Sequence, residues 1–173
     1  FLIPASEITI QITQYILSKI VKPKLIPKMD FSKGIDKENT SMVVIPTILK
    51  SKEKVKEMMK NLEVYYLANK SENLYFALLG DCSQSSTEIE AFDNEVIEEG
   101  KRQVQLLNEK YKNSDFPIFN FVYRKRIWNE KEECYLGWER KRGLLNQFNE
   151  YLLGNTKNPF LTNTLEEYIE NKQ

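Results

Sequence analysis

The sequence lacks histidine altogether and has only two cysteines. Without histidine, the chain cannot form Ser-His-Asp or Cys-His nucleophilic sites, or the common zinc sites that use this residue. Cys82 and Cys134 are too few for the disulfide framework of a small secreted domain. We therefore expect two free thiols in a reducing cytoplasm, and several classes of hydrolase are excluded for this chain.

The chain also lacks an excess of either charge and a long apolar run. Its 25 basic residues balance 25 acidic ones, so no general field attracts nucleic acid. Polar residues interrupt the most apolar stretch, residues 8–21, which is shorter than the roughly 18–20 apolar residues of a membrane span. The sequence begins with Phe1 and shows no signal-peptide pattern, so we expect part of a longer protein.

Residues 1–40 are predicted to form an N-terminal helix and an extended connector. Isoleucines at helical spacing predict an amphipathic helix over residues 6–20, ended by Pro23 and Pro27. Its apolar face carries one lysine, which favours packing on the sheet, or on a neighbour outside this chain, over binding to an anionic membrane. The remaining residues, 41–173, are predicted to form an α/β domain.

Strand and helix patterns alternate through this domain. Residues 41–46 form a short, continuous apolar run dominated by β-branched residues, which predicts a buried parallel strand that Pro46 ends. The patterns that follow are a helix over 52–69, a strand over 73–79 with a polar turn at 80–83, a helix over 95–111, a strand over 116–123, a hairpin over 124–135, a helix over 139–153 ended by Gly154, and a short helix around 165–169. This order predicts a Rossmann-like, three-layer fold with at least three parallel strands.

Polar or basic residues follow each predicted strand. Ligands of open parallel sheets bind beyond the carboxyl ends of the strands, so we expect functional residues at 46–47, 81–83 and 124–126. Asp81 either accepts a hydrogen bond from a base or sugar, or caps a loop. The residues of the third segment, Arg124, Lys125 and Arg126, form a basic run.

A second basic run, Arg140 to Arg142, precedes Gly143 at the start of the last long helix. A helix amino terminus favours phosphate, so these side chains suit a diphosphate. The alternative is a charged helix surface beside Glu139 and Glu150. Trp128 and Trp138 are either platforms for a sugar ring or, as is commoner for tryptophan, packing residues of the interior or hairpin.

Several segments resemble known nucleotide-sugar transferases. Ile45-Pro46-Thr47, Leu79-Gly80-Asp81 and Lys141-x-Gly143-x-x-Asn146 resemble glycosyltransferases of the cellulose-synthase type, which have the GT-A fold. More specific segments resemble the glycosyltransferase region of the cyclic β-1,2-glucan synthases, and the likeness covers nearly the whole chain. These segments are residues 3–7, IPASE; 25–34, LIPKMDFSKG; 64–69, VYYLAN; and 137–143, GWERKRG.

The resemblance implies part of a large, membrane-associated bacterial enzyme that joins glucose from UDP-glucose to a β-glucan acceptor in β-1,2 linkage. The transferase region would lie at the cytoplasmic face of the inner membrane, with the membrane spans elsewhere in the polypeptide and this segment itself soluble. Thr47 and Asp81 would approach the uridine. Lys141 and Arg142 would neutralise the diphosphate.

The resemblance also implies Mg²⁺ or Mn²⁺, which such enzymes bind through Asp-x-Asp at the end of a later strand. This chain contains no Asp-x-Asp, and Asp36-x-Glu38 and Asp93-x-Glu95 do not follow predicted buried strands. We therefore expect the metal ligands and the catalytic base beyond residue 173, so that the segment alone binds a donor without turning it over. The alternative is a non-catalytic α/β module that binds or regulates a partner.

Overall fold

The computed structural model describes residues 2–24, 26, 30–112, 116–166 and 168, and the chain divides into two units, Phe1–Lys33 and Gly34–Gln173. The first unit contains helix α1, Leu2–Ile20. This helix begins earlier than predicted because Pro4 is tolerated in a first turn, where its missing N–H has no helical partner to lose. Pro23 follows the end of the helix, and Pro27 lies outside the described residues.

The apolar side chains of α1 are exposed. They include Ile8, Ile12, Ile16 and Ile20. Among the helices described, none combines the length and the apolar character that crossing a bilayer requires.

The second unit alternates strands and helices in the predicted order. After a short 3₁₀ helix, Lys37–Asn39, its elements are β1 Ser41–Ile48, α2 Lys52–Ala68, β2 Leu74–Asp81, α3 Ala91–Lys110, β3 Phe119–Arg124, β4 Ile127–Asn129, β5 Cys134–Leu136, α4 Arg140–Leu152 and β6 Phe160–Asn163. Strands β1, β2 and β3 are parallel neighbours, β6 pairs antiparallel with β3, and β4 and β5 form a hairpin. The predicted α/β class and the hairpin are confirmed.

Helices cover both faces of the sheet. Phe76 and Leu78 of β2 belong to one core, with apolar residues of α2 and α3. Ala77 and Leu79 belong to a second core, with residues of α4. Because side chains alternate along a strand, the continuous apolar run of β2 fills both cores, and the three-layer prediction is confirmed.

The prediction that Pro46 ends a buried strand is wrong. Strand β1 continues to Ile48, lies at the edge of the sheet and is only partly buried. The Ser41 N–H donates to the Asn73 carbonyl just before β2, and the Leu49 N–H donates to the Asp81 carbonyl at its end. Backbone N–H groups alternate in direction along a strand, so the Pro46 nitrogen, an odd number of residues from both, faces the open edge. An edge strand loses no ladder hydrogen bond to a proline in this position.

Two other features differ from the sequence prediction, the end of β2 and the presence of strand β6. Gly80 and Asp81 are the last residues of β2 and are buried, rather than the start of a polar turn. Strand β6 was not predicted. The short helix predicted around residues 165–169 lies partly outside the described residues, although Glu166 and Tyr168 are helical.

Gly100 gives a test of how closely α3 packs on the sheet. A Cβ at this position would lie 2.3 Å from Cε1 of Phe121, whose ring is fully buried. Alanine gains about 1 kcal/mol in helix propensity, whereas overpacking costs about 1–3 kcal/mol. We expect Gly100→Ala to lower the free energy of unfolding in urea, while Lys101→Ala on the exposed side leaves it unchanged. A Gly100→Ala protein more stable than the native chain would contradict this packing.

Candidate functional site

The carboxyl edge of the parallel sheet opens into a cleft of about 510 Å³. We call it the C-edge cleft. The cleft is lined by the end of β1, the loop after β2 and the residues around the start of α4. These residues include Ile48, Cys82, Gln84, Gly137, Trp138 and Arg140. This is the position at which open parallel sheets bind their ligands.

Arg124, the last residue of β3, is buried behind this cleft with 1% of its surface exposed. Its Nη2 donates to the Trp138 carbonyl at 2.6 Å, its Nη1 to the Arg140 carbonyl at 3.1 Å, and its Nε to Gln147 Oε1 at 2.8 Å. Nη1 also lies 3.5 Å from Asp81 Oδ1. The guanidinium therefore joins β2 and β3 to the first turns of α4.

Two glycines allow the backbone to close over this guanidinium. A Cβ on Gly137 would lie 2.5 Å from Asp81 Oδ1 and 2.7 Å from Arg124 Nη1. A Cβ on Gly143 would lie 1.9 Å from the Trp138 carbonyl oxygen and 2.9 Å from Arg124 Nη2. These contacts leave no room for a side chain, so the segment Gly137–Gly143 needs glycine at both ends to surround Arg124.

Arg126 forms a second buried cluster. Its guanidinium makes a two-point contact with the Asp93 carboxylate and donates to the Ser83 carbonyl at 2.7 Å. The Tyr123 hydroxyl donates to Asp93 Oδ1 at 2.7 Å. Burial alone would raise the pKa of Asp93, but the hydrogen bonds from Arg126, the Glu90 N–H and Tyr123 outweigh it and lower this pKa.

The expectation that 124–126 is a functional basic run is therefore wrong for its two arginines. Both are buried and bound to carbonyl and carboxylate oxygens, and only Lys125 is exposed, where it pairs with Glu88 at 2.8 Å. Side-chain alternation at the end of a strand turns neighbouring basic residues to different surroundings. The run cannot act as one anion-binding surface.

The described residues do not form a metal site. Within them, no group of three or more His, Cys, Asp or Glu side chains is placed to hold an ion. Asp93, from the pair Asp93-x-Glu95, is already bound to Arg126 and Tyr123. We derive no chemical step through a metal from this chain.

Asp81 is 3% exposed at the end of β2 and supports the loop that follows it. Its Oδ1 accepts from the Cys82 N–H at 3.0 Å, which is the loop-capping role weighed from the sequence. Among the described residues, its hydrogen bonds go to Oδ1, so Oδ2 remains as an acceptor.

Burial, followed by the neighbouring Asp81 charge, raises the pKa of the Cys82 thiol to about 11, so this thiol is protonated at neutral pH. Both cysteines are free, as predicted.

The other residues predicted to bind a nucleotide sugar lie in two places. Thr47 Oγ1 is 3.8 Å from the Met58 sulfur of α2, on the face of the sheet opposite α4. Lys141 and Arg142 lie exposed in the first turn of α4, where Arg142 pairs with the Glu139 carboxylate. Arg124 thus links Asp81 to the start of α4. Thr47 pairs with Gly80, beside Asp81 in the sheet, but its side chain lies on the opposite face from α4. Their roles toward a nucleotide sugar stay predictions.

The two tryptophans differ in environment. Trp128 is 49% exposed, but it packs edge-on against Tyr135 with 5.2 Å between ring centroids, which agrees with packing on the hairpin and not in the interior. Trp138 is 50% exposed and lines the C-edge cleft, so the prediction of interior packing is wrong for this residue. Gln84, Asn129 and Glu132 also line the cleft, and sequence reasoning missed them. Gln84 directly follows the segment 81–83, so the expectation that ligands bind beyond the carboxyl ends of the strands could have identified it.

Comparison with known proteins supports the resemblance. The chain is 35% identical over 161 residues to the cyclic beta-(1,2)-glucan synthase NdvB of Rhizobium meliloti (strain 1021). The match covers 93% of this chain and 6% of the relative's length. No family model matches the chain. The predicted similarity to a region of such a synthase is confirmed, and the chain spans only a small part of the protein that it matches.

Replacing Arg124 by lysine tests whether its guanidinium holds the site together. A single ammonium cannot reach the four partners of Arg124, and an incompletely paired buried charge costs about 3–5 kcal/mol. We expect Arg124→Lys to unfold at much lower urea concentration than the native chain. The same substitution at exposed Arg142 should leave the midpoint unchanged. Equal midpoints for both variants would show that the buried contacts contribute little.

The lowered pKa of Asp93 predicts a pH dependence of stability. Its folded-state pKa lies below the unfolded value of about 3.9, so the carboxylate stabilises the fold above that pH and loses this effect as the pH falls through the folded value. We expect Asp93→Asn to lower the melting temperature at neutral pH, with the difference from the native chain shrinking on acidification. Exposed Asp36→Asn is the control, and a difference that stays constant below about pH 4 would contradict the assignment.

Proposed function

We propose that this chain is the donor-nucleotide-binding part of a glucosyltransferase that makes β-1,2-glucan from UDP-glucose. The similarity to a cyclic beta-(1,2)-glucan synthase over 93% of the chain supports the reaction class. The observation that carries the proposal is the position of Asp81, which Arg124 holds beside the start of α4 at the carboxyl edge of a parallel sheet. Nucleotides bind to other open parallel sheets at this edge.

In this proposal, the Asp81 carboxylate recognises the nucleoside. Oδ1 is held by the Cys82 N–H and Arg124, which fixes the orientation of the carboxylate, and Oδ2 can accept from the uracil N–H or a ribose hydroxyl. Gly137 lies directly against Asp81 and lines the C-edge cleft.

The proposal assigns the diphosphate to the first turn of α4. Its N–H groups and the helix dipole favour an anion, and Lys141 and Arg142 add charge at its exposed surface. Arg142 pairs with Glu139 in the free protein. Exposed ion pairs contribute little to stability, so a diphosphate can replace Glu139 as the partner of Arg142.

In the proposed reaction, an acceptor hydroxyl attacks the anomeric carbon of glucose with inversion, and UDP leaves. The described residues supply binding and orientation of the donor. We assign the base, the Mg²⁺ or Mn²⁺ ligands, the acceptor channel and the membrane location to the longer polypeptide, because the chain spans 6% of the similar synthase. We therefore expect UDP binding, and no turnover of UDP-glucose, from this chain alone.

UDP binding tests the proposal directly. We expect UDP to shift the amide resonances of residues 82–84 and 137–142, and Asp81→Asn to weaken its binding about tenfold, as for a lost hydrogen bond to a charged group. A Lys141→Ala, Arg142→Ala double variant should weaken UDP more than uridine, because only UDP carries the diphosphate.

Lys125→Ala is the matched control, since Lys125 is exposed and pairs with Glu88 away from the start of α4. Unchanged amide spectra at millimolar UDP would overturn the proposal. The same conclusion would follow if UDP bound equally well to the native chain and to Asp81→Asn. A non-catalytic module would give this result while keeping its fold.

A further inference from the structure

Trp138 lines the C-edge cleft, and the donor site proposed above gives it no role. Among the described residues that line this cleft, it is the one aromatic residue. Half of its surface is exposed, although tryptophan is usually well buried. Within the described part of the chain, its indole packs on no other aromatic ring and forms no hydrogen bond. The fold thus leaves an aromatic side chain at the cleft without an aromatic or hydrogen-bonding partner.

The backbone next to Trp138 adopts an unfavourable conformation. Glu139 and Arg140 have φ angles of 47° and 45°, in the left-handed region that residues other than glycine rarely occupy. The Arg140 N–H donates to the Gly137 carbonyl at 3.2 Å, so residues 137–140 form a tight turn at the start of α4. Strain of this kind persists only where surrounding contacts hold it, and it is concentrated at binding and catalytic sites.

Buried contacts of Arg124 hold this turn in place. Its guanidinium donates to the Trp138 carbonyl at 2.6 Å and to the Arg140 carbonyl at 3.1 Å, so the backbone is fixed on both sides of Glu139. Gly143 lies against the Trp138 carbonyl, where a Cβ would be 1.9 Å from the oxygen. The main chain of Trp138 is therefore positioned by its neighbours, while its side chain stays half exposed.

The residues on either side of Trp138 indicate which part of a donor it meets. Gly137 lies against the Asp81 carboxylate, to which we assign the nucleoside, because a Cβ on this glycine would lie 2.5 Å from Asp81 Oδ1. Arg140 begins α4, whose first turn we assign to the diphosphate. In UDP-glucose the diphosphate separates the nucleoside from the sugar. Trp138 directly follows the residue at the nucleoside end, so the base is the ring that it meets.

We propose that Trp138 is the stacking platform for the uracil base in the donor site. This inference rests on the proposed function, because it assigns a further residue to the same site. An indole face packs well on a planar base, and such stacking is available to every base because each has a π face. Trp138 therefore contributes affinity for the nucleotide, while the hydrogen bond to Asp81 Oδ2 orients it.

The chain has two tryptophans, so fluorescence can report on each of them separately. Trp128→Phe leaves Trp138 as the remaining indole, and Trp138→Phe leaves Trp128. We expect UDP and uridine to quench the tryptophan fluorescence of Trp128→Phe in a saturable manner, because a stacked base quenches an indole. The fluorescence of Trp138→Phe should not change, and inorganic diphosphate should quench neither variant.

Affinities distinguish stacking from simple proximity. Trp138→Ala should weaken UDP and uridine by the same factor, about fivefold or more, as for the loss of a base–aromatic stack, and should leave inorganic diphosphate unaffected. Trp138→Phe retains an aromatic face and should keep most of the affinity, which tests stacking even if Trp138→Ala disturbs the turn. Tyr65→Ala removes an aromatic side chain of similar exposure from α2 and is the matched control.

Amide shifts of residues 82–84 with UDP, measured on the same samples, test the donor site independently of Trp138. Quenching confined to Trp138, together with weaker binding by Trp138→Ala, supports the stacking role. Amide shifts without quenching of Trp128→Phe, or equal UDP affinity in Trp138→Ala and the native chain, would overturn that role and leave the donor site standing. Trp138→Ala that binds UDP normally and UDP-glucose weakly would also overturn it, because the indole would then meet the sugar. Absence of both amide shifts and quenching would overturn the donor site and this inference with it.

Discussion

The burial of the Arg124 guanidinium is the constraint on which the candidate donor site depends. A charge removed from water is tolerated only when its donors are paired, so every group that pairs with Arg124 is held in place. Those groups are the Asp81 carboxylate, the Trp138 and Arg140 carbonyls and the Gln147 side chain. The arginine thus sets the separation between the end of β2 and the start of α4, which is where a nucleotide would bind.

Arg126 places a similar constraint on the other side of the sheet. It binds Asp93 near the amino end of α3 and the carbonyl of Ser83 in the loop after β2. That loop is also paired with the hairpin through Ser85 and Tyr135. Buried contacts therefore connect the loops at this edge of the sheet on both sides, which suits the proposed role of orienting a donor.

The sequence predicts the elements whose buried residues recur at the spacing of a helix or form a continuous apolar strand. The apolar spacing of α2, α3 and α4 and the continuous runs of β2 and β3 follow from two helical layers on one sheet. Strand β6 was missed because it has only four residues and pairs at one edge. Pro46 was misjudged because composition does not reveal which strand lies at an edge. The burial of Arg124 and Arg126 is not predictable from the sequence, because basic runs are usually solvated and burial through tertiary pairing leaves no local signal.

The segment Gly137–Gly143 resembles known synthases in sequence, and the structure gives a physical reason for its two glycines. They leave room for the Arg124 guanidinium. A crystal structure of the chain with UDP would test the proposed donor site most directly. We expect the uracil base beside Asp81 Oδ2 and the diphosphate at the first turn of α4. UDP bound elsewhere, with the C-edge cleft filled only by solvent, would contradict it.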